Sequence, residues 1–149
     1  MENLYFECPV QESMEQVKER FDLELFKALK PPLVNLKVTR FDGCNIGDEV
    51  HLSIFFGIPL FQVKWVSSIT ESYEDDENWY FIDEGVLLPF PLKKWRHKHI
   101  VKKVGSSSLI VDDISFSSNN RVLNFMLKPL LKLQFSGRYA IYQKIFGSS

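Results

Sequence analysis

Apolar and polar residues alternate along several stretches of the chain, a pattern that is typical of half-buried β-strands. Near the start, Leu4, Phe6 and Cys8 alternate with polar neighbours. Similar stretches predict six more strands, at residues 34–39, 50–56, 60–69, 79–84, 92–104 and 107–116. The pattern therefore predicts about seven strands. A tight type II′ turn at Gly105-Ser106 is expected to join the last two, because glycine tolerates the positive φ of its first central position.

Two short helices are predicted between the first strand and the second. Ser13 and Gln16 have the spacing of a capping box, in which each side chain satisfies the backbone N–H of the other residue. A second apolar stretch, at residues 23–29, continues as another short helix. Pro31 and Pro32 follow it, and proline cannot continue a helix.

The end of the chain predicts one long helix, capped by Asn119 or Asn120, running to about Phe146 and kinked at Pro129. Apolar residues surround its first half on nearly all sides, namely Leu123, Phe125, Met126, Leu127, Leu130, Leu131, Leu133 and Phe135. This distribution predicts that the helix is buried on more than one side.

Composition narrows the classes of protein that the chain can represent. Its 149 residues are enough for one domain, expected to span residues 1–149, and the net charge of −1 gives no basic field for nucleic acid. No apolar stretch reaches the ~20 residues that span a bilayer. Cys8 and Cys44, the two cysteines, have neither a disulfide framework nor a zinc-site spacing. We therefore expect a cytoplasmic protein with no nucleic-acid partner, no stable membrane insertion and no cofactor.

The most informative stretch is Trp95-Arg96-His97-Lys98-His99. Alternate residues of a strand share a face, so Trp95, His97, His99 and Val101 point the same way. A surface that combines tryptophan, valine and two histidines suits the wall of a pocket better than a bulk core.

A two-residue turn at Gly105-Ser106 would place His99 opposite Asp112 in the hairpin. A carboxylate beside an imidazole orients the ring and raises its pKa. Three interpretations of His97, His99 and Asp112 remain open: a satisfied polar pair, a polar anchor for an apolar ligand, and a catalytic or metal-binding group. Two histidines and one carboxylate could form a facial triad for iron, although we expect no metal.

The order of the elements resembles that of the helix-grip, START-like superfamily, also called SRPBCC, and more narrowly a bacterial ligand-binding group that carries cell-division-inhibitor-like or polyketide-cyclase-like labels. The matching motifs are Trp95-x-His97-x-His99, Asp112-x-Ile114-x-Phe116 and Phe26-x-x-Leu29-x-Pro31-Pro32. The resemblance implies an α+β fold, in which a curved antiparallel sheet of about seven strands carries two short helices and grips one long C-terminal helix. It also implies an apolar cavity between the sheet and the long helix.

We therefore predict non-enzymatic binding of a small hydrophobic molecule, lipid-like or polyketide-like, between the sheet and the helix at 120–146. The predicted apolar walls are Trp65, Phe81, Trp95, Met126 and Leu130. The predicted polar contacts are His97, His99 and Asp112. Such sites are mostly apolar with a few polar groups that orient the ligand.

Two alternative functions belong to other classes. A cyclase or dehydratase would use His99 as general base, oriented by Asp112. A protein- or membrane-interaction module would use the apolar loop Val86–Phe90, through which a partner protein could bind, and the apolar segment 123–133. The basic stripe of that helix, Arg121, Lys128 and Lys132, would then face the membrane surface or the partner.

Overall fold

The computed structural model describes residues 1–31, 34–55 and 62–147, which form an α+β fold of one sheet and several helices. In chain order the elements are β1 (Glu2–Val10), α1 (Met14–Glu19), α2 (Leu23–Ala28), β2 (Asn35–Phe41), β3 (Glu49–Phe55), β4 (Gln62–Glu74), β5 (Asn78–Leu87), β6 (Leu92–Val104), β7 (Ser107–Ser118), α3 (Arg121–Ser136) and α4 (Arg138–Phe146). The predicted strands and helices are therefore present. The predictions for Pro32, Phe56 and residues 57–61 lie outside the described residues.

All seven strands join one antiparallel sheet in the order β1-β7-β6-β5-β4-β3-β2. Register shifts interrupt β4 on either side of Ser68 and β2 after Val38. A bulge bends its strand and increases the local twist, so these irregularities help to curve the sheet. The helices lie on the concave face.

The hairpin of β6 and β7 confirms the register expected from its turn. Val104 pairs with Ser107, and His99 pairs with Asp112. Gly105 has a φ of +61° while Ser106 does not have a positive φ, which fits glycine at the first central position of a type II′ turn.

Helix α1 begins with the predicted capping box. The Ser13 hydroxyl accepts the backbone N–H of Gln16 at 3.2 Å, and the Gln16 side chain accepts the backbone N–H of Ser13 at 2.9 Å. Met14 and Val17 are buried on the side that faces the sheet. The cap therefore fixes the start of a helix that covers part of the concave face.

Replacing Ser13 with alanine is expected to lower the free energy of unfolding by about 1 kcal/mol, because it leaves a helix N–H without its acceptor. Urea denaturation followed by circular dichroism measures this change. Ser13→Asp, which can still cap, should retain most of the stability. Equal stability of Ser13→Ala and the wild type would contradict the prediction.

Two apolar clusters fill the concave face on either side of a polar middle. One cluster lies beneath α1, α2 and α4 and includes Val17, Leu25, Trp79, Val101 and Phe146. The other lies beneath α3 and includes Leu4, Trp95, Ile114, Phe116, Leu131 and Phe135. The strands β6 and β7 run through both clusters, and their polar residues occupy the space between.

The predicted C-terminal helix comprises α3 and α4, which meet at Gly137, with Pro129 inside α3. Burial of this helix on more than one side was predicted, and for α3 that prediction is wrong. Only Leu131 and Phe135 of α3 are buried, because the sheet contacts one stripe of the helix. Its outer face leaves several apolar residues exposed, namely Val122, Phe125, Met126, Leu130 and Leu133.

The apolar segment at the end of β5 and just after it is also exposed, at Val86, Leu87 and Phe90. The interaction surface expected at residues 86–90 and on α3 stays a prediction. Among the residues described, none of the helices combines the length and the apolar character needed to cross a membrane.

A candidate binding site at the centre of the concave face

The polar residues of the concave face come from three adjacent strands. Asp83 of β5 pairs with His97 of β6, and His99 of β6 pairs with Asp112 of β7. Directly paired residues of an antiparallel sheet point to the same face, so all four side chains meet on the inner side. The alternation of the strands therefore builds a buried polar cluster between the two apolar ones.

Asp112 is the most heavily bonded member of this cluster. Its Oδ1 accepts hydrogen bonds from His97 Nε2 at 2.8 Å and from Arg138 Nη1 at 3.2 Å, and its Oδ2 accepts one from the Tyr142 hydroxyl at 3.4 Å. Burial would raise the pKa of Asp112, but the Arg138 charge and the His97 hydrogen bond outweigh it and hold that pKa well below its usual range. Asp112 and Arg138 therefore form a buried ion pair.

His99 lies beside this ion pair without joining it. Its ring stacks on Phe81 with 4.4 Å between centroids and lies 3.6 Å from the ring of His97. Its Nδ1 is 3.6 Å from Asp112 Oδ1, which is too long for a hydrogen bond, and it has no hydrogen-bond partner in the described part of the chain.

Asp112 raises the pKa of His99, as expected, but the hydrogen bond that was expected to orient the ring is not formed. Burial, followed by the neighbouring His97, lowers the pKa of His99 well below its ordinary value. The carboxylate opposite raises it by less, because the two side chains do not form a hydrogen bond. The general base of the cyclase hypothesis thus lacks the hydrogen bond that was expected to orient it.

Asp83 and Arg138 complete the site, and the sequence reasoning missed both. Asp83 Oδ1 accepts a hydrogen bond from Trp95 Nε1 at 3.2 Å. Burial raises the pKa of Asp83, although His97 and the Trp95 hydrogen bond oppose that rise. The alternation Trp79-x-Phe81-x-Asp83 was the available signal for this residue. Arg138 reaches the site from α4 and has no comparable local signal.

One oxygen or nitrogen from each of Asp83, His97 and His99 lies within 4.8 Å of the others. The facial triad considered from the sequence used Asp112 as its carboxylate. In the structure Asp112 forms an ion pair with Arg138, and Asp83 is the carboxylate that lies beside the two histidines.

A small cavity adjoins this cluster on the side of α1 and α2. Its lining is Phe21, Asp22, Leu25, Phe26, Leu29, Phe41, Gly43, Cys44, Val50, Ile69, Phe81, Asp83 and His99. The cavity volume is about 30 Å³, which is enough for about two or three water molecules. The cavity therefore joins a mostly apolar wall to the buried His99 and the half-buried Asp83.

The cavity was predicted beneath the helix at 120–146, and the structure places the larger opening beneath α1 and α2. The space beneath α4 is about 20 Å³ and is lined by Asp112, Arg138 and Tyr142 among others. The difference arises because Phe135, Tyr142 and Phe146 of the terminal helices are packed tightly against the sheet.

Of the predicted apolar walls, Phe81 lines the cavity beneath α1 and α2. Trp65 and Trp95 pack against each other at 5.0 Å between centroids, in the cluster beneath α3. Met126 and Leu130 are 59% and 58% exposed and line neither cavity. Among the predicted polar contacts, His99 lines the larger cavity, Asp112 the smaller one, and His97 neither.

Replacing Asp83 with asparagine is expected to stabilise the protein at neutral pH when a chelator is present. The raised pKa of Asp83 means that the folded state binds a proton more tightly than the unfolded state, so ionisation costs stability as pH rises. Asparagine cannot ionise and still offers an oxygen to Trp95. Urea denaturation between pH 4 and pH 8 should show a gain that shrinks towards acid. The exposed Asp76→Asn serves as control, and a pH-independent difference for Asp83→Asn would contradict the explanation.

No family model matches the sequence, and a comparison with curated proteins finds no match. Solved structures do match in fold. A protein from Arthrobacter aurescens is 12% identical with a TM-score of 0.65, over 95% of this chain and 82% of that one. The protein Ara h 8.0201 is 10% identical with a TM-score of 0.56, over 96% and 98%.

The major latex-like protein 151 from Panax ginseng is 14% identical with a TM-score of 0.55, over 89% of this chain and 95% of that one. These likenesses extend over nearly the whole length of each structure, and the seven-stranded antiparallel sheet with its terminal helices agrees with them. The chain therefore has the helix-grip fold.

Proposed function

We propose that the protein binds a small, largely apolar molecule in the cavity beneath α1 and α2, and that Asp83 and His99 contact the polar group of that molecule. The observation that carries this proposal is the lining of the cavity, which is mostly aliphatic and aromatic and includes the buried His99 and the half-buried Asp83. Binding sites for small molecules typically have this composition.

The polar end of the cavity suits a ligand group that both donates and accepts hydrogen bonds. His99 Nε2 and Asp83 Oδ2 are 4.0 Å apart, too far to bond to each other. A hydroxyl group placed between them would contact both. This arrangement favours an alcohol or a phenol over a plain hydrocarbon.

The size of the cavity indicates which part of the structure must move. About 30 Å³ holds water but not an organic ring. Helix α2 covers the opening through Leu25 and Leu29, and its Phe26 packs on Phe41 at 5.6 Å between ring centroids. We infer that α2 shifts outward when the ligand enters. A compact molecule requires a smaller shift than a long-chain lipid.

Two measurements test the proposal. Organic extraction followed by mass spectrometry identifies any molecule that copurifies with the protein. Titration of ¹⁵N-labelled protein with phenol, and separately with toluene, reports binding through the amide signals of Cys44, Ile69 and His99. We expect phenol to shift these signals at lower concentration than toluene.

Leu29→Trp should fill the cavity and abolish the shifts, whereas Leu130→Trp, the same change at an exposed site on α3, should leave them intact. An empty extract together with unshifted cavity signals for both probes would refute the proposal. Equal shifts with phenol and toluene would refute the polar contact by Asp83 and His99.

A further inference from the structure

The cluster of Asp83, His97 and His99 has the composition of a three-ligand metal site, and it combines two buried histidines with a half-buried carboxylate. Asp83 is directly opposite His97 in the sheet, and His99 follows two residues later on the same face. Their ligand atoms lie within 4.8 Å of one another. We propose that these three side chains bind a divalent transition-metal ion such as Zn²⁺, Co²⁺ or Fe²⁺, all of which accept imidazole and carboxylate ligands.

Asp83 and His97 each keep one atom available for the ion while another atom is already held by a hydrogen bond. Asp83 Oδ1 accepts the Trp95 N–H at 3.2 Å, which leaves Oδ2. His97 Nε2 donates to Asp112 at 2.8 Å, which leaves Nδ1. Histidine ligands of metals commonly donate their second ring nitrogen to a carboxylate in this way.

A bound ion would also account for the unpartnered Nδ1 of His99. His99 Nδ1 is buried and has no hydrogen-bond partner among the described residues, which is unfavourable for a buried polar group. An ion on Nε2 would fix the proton on Nδ1, which faces Asp112 Oδ1 at 3.6 Å. Asp112 would then orient both histidines, with a small shortening of this distance.

To hold an ion the ligand atoms must move closer together, by up to about 1.4 Å for a pair 4.8 Å apart. His99 Nε2 and Asp83 Oδ2 are 4.0 Å apart, whereas two ligands at about 2.1 Å from a tetrahedral ion are separated by about 3.4 Å. The adjoining cavity, which Asp83 and His99 also line, has room for water in the remaining coordination positions. The site would therefore be open on one side, as sites with three protein ligands usually are.

The charges of the surroundings are compatible with a cation. Arg138 is the nearest buried cationic side chain, and its charge is matched by Asp112 at 3.2 Å. Asp83 has no lysine or arginine within ion-pair distance among the residues that the structure describes. A divalent ion would supply the missing counter-charge to this carboxylate.

Titration of the full-length, chelator-treated protein with Co²⁺ and Zn²⁺ tests the proposal. We expect one ion per chain by calorimetry, visible d–d bands with Co²⁺, and a higher melting temperature with Zn²⁺ by mass action. Asp83→Asn and His99→Ala should each weaken binding by at least about tenfold, the range found even for outer-shell changes. His51→Ala, which removes a partly exposed histidine paired with Glu49, should bind as the wild type does.

Two features keep the test decisive. Asp83→Asn is expected to fold at least as well as the wild type, so its loss of binding would not reflect unfolding. A thiolate-to-cobalt absorption band would place the ion on Cys8 or Cys44 and would overturn the proposal. The proposal would also be overturned if neither Co²⁺ nor Zn²⁺ bound. It would be overturned as well if Asp83→Asn and His99→Ala bound the ions as tightly as the wild type does.

The ion would occupy Asp83 Oδ2 and His99 Nε2, the two atoms that the proposed function assigns to a ligand hydroxyl group. Metal binding is therefore measured without phenol, and phenol binding is measured on chelator-treated protein, so that each proposal can fail by itself.

Discussion

Replacing Asp112 with asparagine is expected to lower the free energy of unfolding by about 3–5 kcal/mol, since removing one member of a buried ion pair leaves the other charge uncompensated. Asp112 accepts hydrogen bonds from three side chains of β6 and α4, and Arg138 is only 12% exposed. Asparagine has nearly the same shape but cannot balance the guanidinium charge. Urea denaturation at pH 7 measures the loss.

Two further variants test whether the uncompensated buried charge, rather than the loss of any ion pair, lowers the stability of Asp112→Asn. Glu2→Gln removes the exposed pair between Glu2 and Lys128 and should leave stability unchanged within error. The double variant Asp112→Leu, Arg138→Met removes both buried charges and should recover most of the lost stability. If the double variant is as unstable as Asp112→Asn, the uncompensated charge is not the cause.

The loss of stability of Asp112→Asn should also depend on pH. The pKa of Asp112 is lowered in the folded state, so its contribution is present above the unfolded pKa of about 4 and decreases as pH falls below it. The difference between wild type and variant should therefore narrow in acid. A difference that widens as pH falls would contradict the ion-pair explanation.

Replacing Phe146 with alanine is expected to cost about 3–5 kcal/mol, the range for removing a fully buried aromatic side chain. The Phe146 ring is fully buried, and the Arg20 guanidinium lies 5.0 Å from its centroid. Its carbonyl accepts the backbone N–H groups of Gln11 and Glu12 at 3.1 and 3.2 Å. This residue therefore attaches α4 to the segment between β1 and α1.

Tyr139→Ala is the matched control, because Tyr139 lies on the same helix but is half exposed. Thermal and urea denaturation should show a much smaller loss for Tyr139→Ala than for Phe146→Ala. Similar losses would mean that the helix propensity of α4, rather than the packing of its last aromatic ring, sets the stability.

The fold was predictable because its signals are local. Alternation placed the strands, a serine and a glutamine three residues apart placed the start of α1, and one glycine fixed the register that aligns His99 with Asp112. Each of these features depends on neighbours within a few residues. The order of these elements resembles that of the helix-grip superfamily, and this resemblance supplied the architecture.

The site was only partly predictable because its contacts connect distant parts of the chain. Register places a side chain on a face but does not decide which neighbour it bonds, and Asp112 bonds His97 and Arg138 rather than His99. Arg138 stands on a helix where its neighbours give no sign that it points inward. The position of the cavity depends on how tightly each helix packs against the sheet. The spacing of apolar residues along the chain does not report this packing.

The pairing of β1 with β7 has a consequence for how the chain folds. Glu2 pairs with Phe116 and Val10 with Ser108, so about 100 residues must be looped out before this ladder can form, and such closure is entropically slow. The hairpins of β4 to β7 need far shorter loops and are expected to assemble sooner. During synthesis, β1 therefore emerges well before β7, and its backbone N–H and C=O groups pair only after the roughly 100 intervening residues have been made.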